Sequence, residues 1–193
     1  MSEEISKNKF QERLMNFFKE NLKLVIVSLI SSLLILLGYV FYKQSIEKKN
    51  NIISEKFNQA TILLIKNKKN ESKVLLENII NEKHKLYSPL ALYQIIDSEI
   101  ENDDNKILGY FDQILGINSI SKDDLNLIRI KKTLFMFENF DENQILDTLN
   151  PIINSNSVWK KSAVNLIVKY FMSKGEKLKA EEYLKLLNTK IKK

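Results

Sequence analysis

The chain has 193 residues, a net charge of +6, four glycines, two prolines, one histidine and no cysteine. The missing cysteine excludes disulfide staples, thiol nucleophiles, soft metal sites and S-acylation, and so few glycines and prolines leave little turn chemistry for a many-stranded sheet. A reducing cytoplasm and a disulfide-free envelope fit this composition equally, so the compartment stays open.

Residues 21–44 read NLKLVIVSLISSLLILLGYVFYKQ, and the nineteen residues between Lys23 and Lys43 carry no charge. At ~1.5 Å per residue a helix of that length covers roughly 28 Å, close to the ~30 Å hydrocarbon core of a bilayer. A buried core helix would keep a polar stripe, and this run has none. Tyr39, Phe41, Tyr42 and Lys43 supply the aromatic rings and snorkelling lysine suited to a lipid–water boundary. A cleaved signal has an apolar region of ~7–15 residues and a small-residue cleavage site. Here twenty-three residues come first, and Tyr39-Val-Phe-Tyr-Lys-Gln offers no small pair. The run therefore predicts an uncleaved anchor over 24–42, with a lead-in at 1–23 and one domain at 43–193. Orientation is nearly undecided by charge: Lys7, Lys9, Arg13, Lys19 and Lys23 precede the span, and Lys43, Lys48, Lys49 and Lys56 follow it.

The rest of the chain is long enough for one domain with its own core. Apolar residues recur at helical spacing in short blocks. Ile53, Phe57, Ala60 and Leu64 form the first face, and Val74, Leu75 and Ile79 the second. Ala91, Leu92, Ile95, Ile96 and Ile100 form the third, with Ser88 as cap and Pro89 in the first turn. After the turn at Glu101-Asn-Asp-Asp-Asn come Ile107, Phe111, Ile114 and Leu115, then Gly116. Ser121 and Asp124 predict a capped helix start, followed by Leu127, Ile130, Leu134 and Phe137. A turn at Phe140-Asp-Glu-Asn leads to Ile145, Leu149 and Ile152. Ser157 caps a helix burying Val164, Ile167, Val168 and Phe171. Gly175 turns the chain into Ala180, Leu184 and Leu187.

The fold class predicted is all-α: one transmembrane helix, then eight helices in about four hairpins. The second-helix anchors Val74, Ile107, Ile145 and Ala180 stand thirty-three, thirty-eight and thirty-five residues apart. A period near ~34 with a helix–turn–helix unit is the tetratricopeptide signature, clearest in the last hairpin. A generic helical bundle is the alternative.

Charge is unevenly spread. Residues 97–147 carry twelve acids and five bases, whereas 160–193 carry ten bases and three acids. An acidic middle opposes the continuous basic face that nucleic acid requires. The lysines next to the span suit anionic headgroups, though most read as solvated helix faces. Catalytic chemistry is missing from the pattern. His84 is the only histidine and lies in a polar inter-helix segment, so it reads as a surface residue. The glycines are scattered singly, without a phosphate loop. Asp103, Asp104, Asp123 and Asp124 lie at turns or helix starts, where acids complement the helix dipole. Trp159 reads as packing on the preceding hairpin, with a partner anchor as the alternative. No enzyme, cofactor, metal, nucleic acid or small-molecule substrate is expected, and no catalytic residue is assigned.

The lead-in Phe17-Phe-Lys-Glu-Asn, the single span ending in aromatics, the polar helix after it and the closing hairpin at Met172-Ser-Lys-Gly-Glu-Lys-Leu-Lys-Ala together resemble the YfgM-type ancillary subunits of the bacterial Sec translocon. The resemblance implies an inner-membrane protein with a cytoplasmic N-terminus and a periplasmic tetratricopeptide-like domain. It also implies association with SecYEG and with a PpiD-type membrane-anchored chaperone, in aid of newly translocated proteins. The family brings no catalytic residues with it. Two other readings remain: a structural membrane-tethered scaffold of an envelope or division complex, and a cytoplasm-facing adaptor of reversed topology.

Overall fold

The structure is a computed structural model and describes residues 12–13, 15–17, 19–137 and 141–188. It is helical throughout, with no strand among the described residues. Two compact units meet between Ile52 and Ile53.

The first unit is dominated by α1 (Leu22–Ile65), and the described residues between 12 and 20 are helical as well. Along its apolar run, before Ile53, the side chains of α1 enter no protein core: Leu24 is 68% exposed, Ile35 72% and Phe41 68%. This helix is long and apolar enough to cross a membrane, and none of its apolar stretch is buried within the chain. The helix does not stop where the apolar run ends. Lys43-Gln-Ser-Ile-Glu-Lys-Lys contains no glycine or proline and is rich in helix formers, so nothing breaks the backbone there. The expected separate first helix of the domain is thus the last part of α1.

The second unit begins at Ile53 and continues through α2 (Lys69–Asn81), α3 (Tyr87–Asp97), α4 (Asp104–Leu115), α5 (Lys122–Met136), α6 (Glu142–Ile153), α7 (Lys160–Ser173) and α8 (Lys177–Asn188). From α2 onward each helix packs on the next, and α2 also meets α4. Two apolar cores lie along the chain. One gathers Ile53, Leu76, Ile79, Leu92, Phe111 and Ile128; the other gathers Met136, Ile145, Leu149, Ile167 and Phe171 with Ile130. Helix α5 therefore belongs to both, through Ile128 and Ile130.

Local signals explain most helix ends. Asp103 accepts from the amides of Asn105 and Lys106 and caps α4. Ser121 accepts from the amide of Asp124 and caps α5. Asp141 and Gln144 form a reciprocal capping box on α6. At the other ends, Asn67, Glu99 and Gly175 take positive φ two residues beyond α1, α3 and α7. There the amides of Lys68, Ile100 and Glu176 reach back to the carbonyls of Leu63, Ile95 and Phe171, which satisfies carbonyls that the helix leaves open.

Four expectations are corrected. Ser88 is not a cap. It is buried, and its hydroxyl donates to the Ile79 carbonyl at 2.8 Å, clamping α3 to α2. Ser157 does not cap α7, which starts at Lys160. Its hydroxyl accepts from Asn126 Nδ2 at 3.0 Å and from the Trp159 amide at 3.2 Å. Val74 is exposed, and the buried residues of α2 are Ser72, Leu76, Ile79 and Ile80. Leu134 is exposed and Leu127 half-buried, because α5 turns Ile128, Thr133 and Met136 inward instead. With Ser72 replacing Val74, one position repeats. Ser72, Ile107, Ile145 and Ala180 are each the fourth residue of α2, α4, α6 and α8, and all are buried. Phe140, expected in a turn, lies outside the described residues.

Candidate protein-interaction grooves

Among the grooves on the second unit, two lie between the helix pairs α3–α5 and α6–α8. The first, of about 470 Å³, lies between α3 and α5 and is floored by Leu86, Pro89, Leu90, Tyr93, Leu127 and Ile128. Its origin is a second apolar line on α3. Leu86, Leu90 and Tyr93 stand four and three residues apart, away from the face that buries Ala91, Leu92 and Ile95. Lys85 and Asp124 provide its charged rim. Lys131 places its ammonium 4.3 Å from the Tyr93 ring centre, which seats the ring by a cation–π contact. Burial, and then the charge of Asp124, push the Tyr93 phenol up to about 12. The phenol is therefore a neutral hydrogen-bonding group on an apolar wall.

The second groove, of about 420 Å³, lies between α6 and α8 over Phe171. Lys179 crosses it, 2.8 Å from Glu142 and 2.7 Å from Glu176, with its ammonium 5.2 Å from the Phe171 ring. The hydrogen bonds to Glu142 and Glu176 push the lysine pKa up, so it stays cationic. Tyr183 stacks on Phe171 at 5.5 Å and closes one side.

A third cluster ties elements together. Glu101, in the turn before α4, receives Lys73 at 2.9 Å and Lys106 at 3.0 Å on one carboxylate oxygen, and the amides of Asn102 and Asp103 on the other. Lys106 also reaches Glu77 at 2.8 Å, and the Tyr110 hydroxyl donates to Glu77 at 2.7 Å. This is an ion-pair staple between α2 and α4. Sequence reading missed it because its members are far apart in the chain and each looks like an ordinary surface charge.

The residues weighed in the sequence fall as follows. Asp103 caps α4, Asp123 accepts from Ser157, and Asp124 is engaged with Ser121. Trp159 is half-buried against the second core, in line with packing on its own domain. His84 departs from the surface reading. It is half-buried, and its Nδ1 accepts the amides of Leu86 at 3.2 Å and Tyr87 at 3.1 Å. Among the described residues no group of three or more histidine, aspartate or glutamate side chains could hold a metal ion. The first groove offers apolar wall with a few charges at the rim, suited to holding side chains of another polypeptide; the second is more polar, with Lys179 across it and Glu142, Asn150, Asn154 and Glu182 in its lining. The first groove was legible in the spacing of Leu86, Leu90 and Tyr93; the second was not, because α6 and α8 meet only in three dimensions.

No family model, no curated protein and no solved structure matches this chain.

Proposed function

We propose that this is a single-span membrane protein that holds a tetratricopeptide-like interaction domain beside the Sec translocon and assists periplasmic chaperones with newly translocated proteins. The N-terminus is cytoplasmic in this reading and the domain periplasmic, with SecYEG and a PpiD-type chaperone as partners. The observation that carries it is the joining of an exposed apolar helix, α1, to an all-helical domain with grooves on its surface. The recurrence of a buried fourth residue in α2, α4, α6 and α8 supports the repeat reading. The assignment of partners and compartment rests on the resemblance of the lead-in, span and last hairpin to the YfgM-type subunits. Tethering suits a weak binder, because it raises the local concentration of the domain at its partner.

Crosslinking in intact cells followed by purification under denaturing conditions tests this reading. Translocon subunits should dominate the products. Envelope or division proteins in their place would establish the scaffold reading. Protease added to cells with an opened outer envelope and a sealed inner membrane should digest the domain; full protection would overturn the proposed topology.

A further inference from the structure

We infer that His84 is a proton-sensitive cap on α3, a conformational device that loosens the α2–α3 turn in acid. The backbone already bonds in helical fashion from this residue, since the Ser88 amide donates to the His84 carbonyl at 3.0 Å. The Nδ1 of the ring then accepts the next two open amides, those of Leu86 and Tyr87. In return, the His84 amide donates to the Ser88 hydroxyl at 2.8 Å. This is a reciprocal pair of bonds like that of a helix cap, made in the turn just before α3 begins at Tyr87, with an imidazole in the place usually taken by a hydroxyl or carboxylate.

The first turn of α3 leans on that nitrogen. Pro89 has no amide hydrogen to donate, and the Leu90 amide reaches the Leu86 carbonyl only at 3.4 Å. Nδ1 can accept only while it is unprotonated, which requires the neutral ring with its hydrogen on Nε2. A proton on Nδ1 would set a third donor against two amide donors. The cation would also face the positive end of α3. Imidazole is the side chain whose charge changes between about pH 5 and 8. The cap is present when the ring is neutral, so its contribution is kept at high pH and lost as the pH falls.

Aromatic and charged groups stand around the ring. Tyr87 lies 5.3 Å from the imidazole, ring to ring, and Phe57 of α1 lies behind it at 5.8 Å. Lys56 of α1 and Glu82 at the end of α2 pair with each other at 2.9 Å. Lys83 and Lys85 flank the histidine in the turn. Asp124 of α5 stands across the first groove, which Lys85, Leu86 and Pro89 also line. Loosening this turn therefore moves one wall of that groove.

Because His84 is the only histidine, imidazole nitrogen spectra of the full chain in nanodiscs report this ring alone. Neutral pH should show the tautomer protonated on Nε2. Amide exchange at Leu86 and Tyr87, corrected for intrinsic rates, should speed up on the order of fivefold or more between about pH 8 and about pH 5, as expected for a cap worth ~1 kcal/mol. His84→Asn supplies an amide oxygen that caps without titrating, and should abolish that extra acceleration while keeping protection. An Nδ1-protonated tautomer at neutral pH would overturn the inference. So would equal acceleration in the wild type and in His84→Asn.

Discussion

The hydroxyl of Ser72 donates to the carbonyl oxygen of Ala60 at 2.8 Å, and both residues are fully buried. Small residues let two helices approach closely, and here the hydroxyl also reaches across to the backbone of α1. Ser72→Ala should keep the approach and lose the hydrogen bond, costing about 0.5–1.5 kcal/mol. Ser72→Leu should cost more, roughly 1–3 kcal/mol, because the larger side chain must displace packed neighbours. Thermal unfolding of the two variants should rank them in that order.

Glu101 is the centre of the staple between α2 and α4. The Lys73 hydrogen bond lowers its pKa most; burial opposes, and Lys106 and the Asp103 amide lower it further, to about 2 against an ordinary 4.5. A depressed carboxylate stabilises the fold when ionised. Its contribution is complete above about 4.5 and disappears as the pH falls toward about 2. Glu101→Gln should lower the melting temperature at neutral pH and flatten the loss of stability across that acid window. An unchanged acid profile in the variant would show that the staple contributes nothing.

Glu99 holds φ at +50° two residues after α3. That conformation costs an L-residue roughly 1–2 kcal/mol. Glycine removes the strain but has more freedom to lose on folding. The net expectation for Glu99→Gly is a gain of about 0.5–1 kcal/mol, measured by denaturant midpoint. Gly175, at φ +80°, already has this solution, so Gly175→Ala should destabilise by a similar amount.

What the sequence discloses here depends on how far a residue's partner lies along the chain. Asp103, Ser121 and Gly175 act on backbone within a few positions, and their roles follow from residue type and spacing. Ser88 and Ser157 have the right type for caps, and besides a local amide each hydroxyl binds α2 or α5, partners that only the folded chain supplies. Val74 and Leu134 show a second limit. In a helix of about four turns, several apolar residues allow more than one inward face, and neighbouring helices choose among them. His84 was hidden because a histidine is not among the residue types that signal a helix start. The grooves divide in the same way: one begins with a visible line on α3, the other needs α6 and α8 side by side.

The long apolar helix α1 sets up a sharp contrast between two equally exposed leucines. Leu33 lies midway along the apolar run and is 58% exposed; Leu134 on α5 is 56% exposed. Exposure at Leu33 is expected to face lipid, and exposure at Leu134 to face water. Leu33→Arg should cost insertion about 2.5–3.5 kcal/mol, seen as protein released by alkaline extraction of membranes. Leu134→Arg should remain in the membrane fraction. Intact mass of the extracted wild-type chain should retain residues 1–42. Loss of them would sink the anchor reading.

Ala180 tests the assignment of the last helix pair. It is 1% exposed, in a core it shares with Phe171 and half-buried Val168, where α7 and α8 make the most extensive helix contact in the unit. Ala180 is enclosed in that core, so a leucine side chain there must displace packed neighbours. The expected cost is roughly 1–3 kcal/mol. The last pair in the described chain has a neighbouring helix on one side only, through α6, so little else holds it in place. Ala180→Leu should therefore melt at a lower temperature and weaken partner binding, with membrane insertion unchanged. Leu178→Ser, at a position 84% exposed on the same helix, should leave the melting temperature within error. Lys190, the other natural control, lies outside the described residues. If Ala180→Leu melts at the wild-type temperature, α7 and α8 do not cross at Ala180.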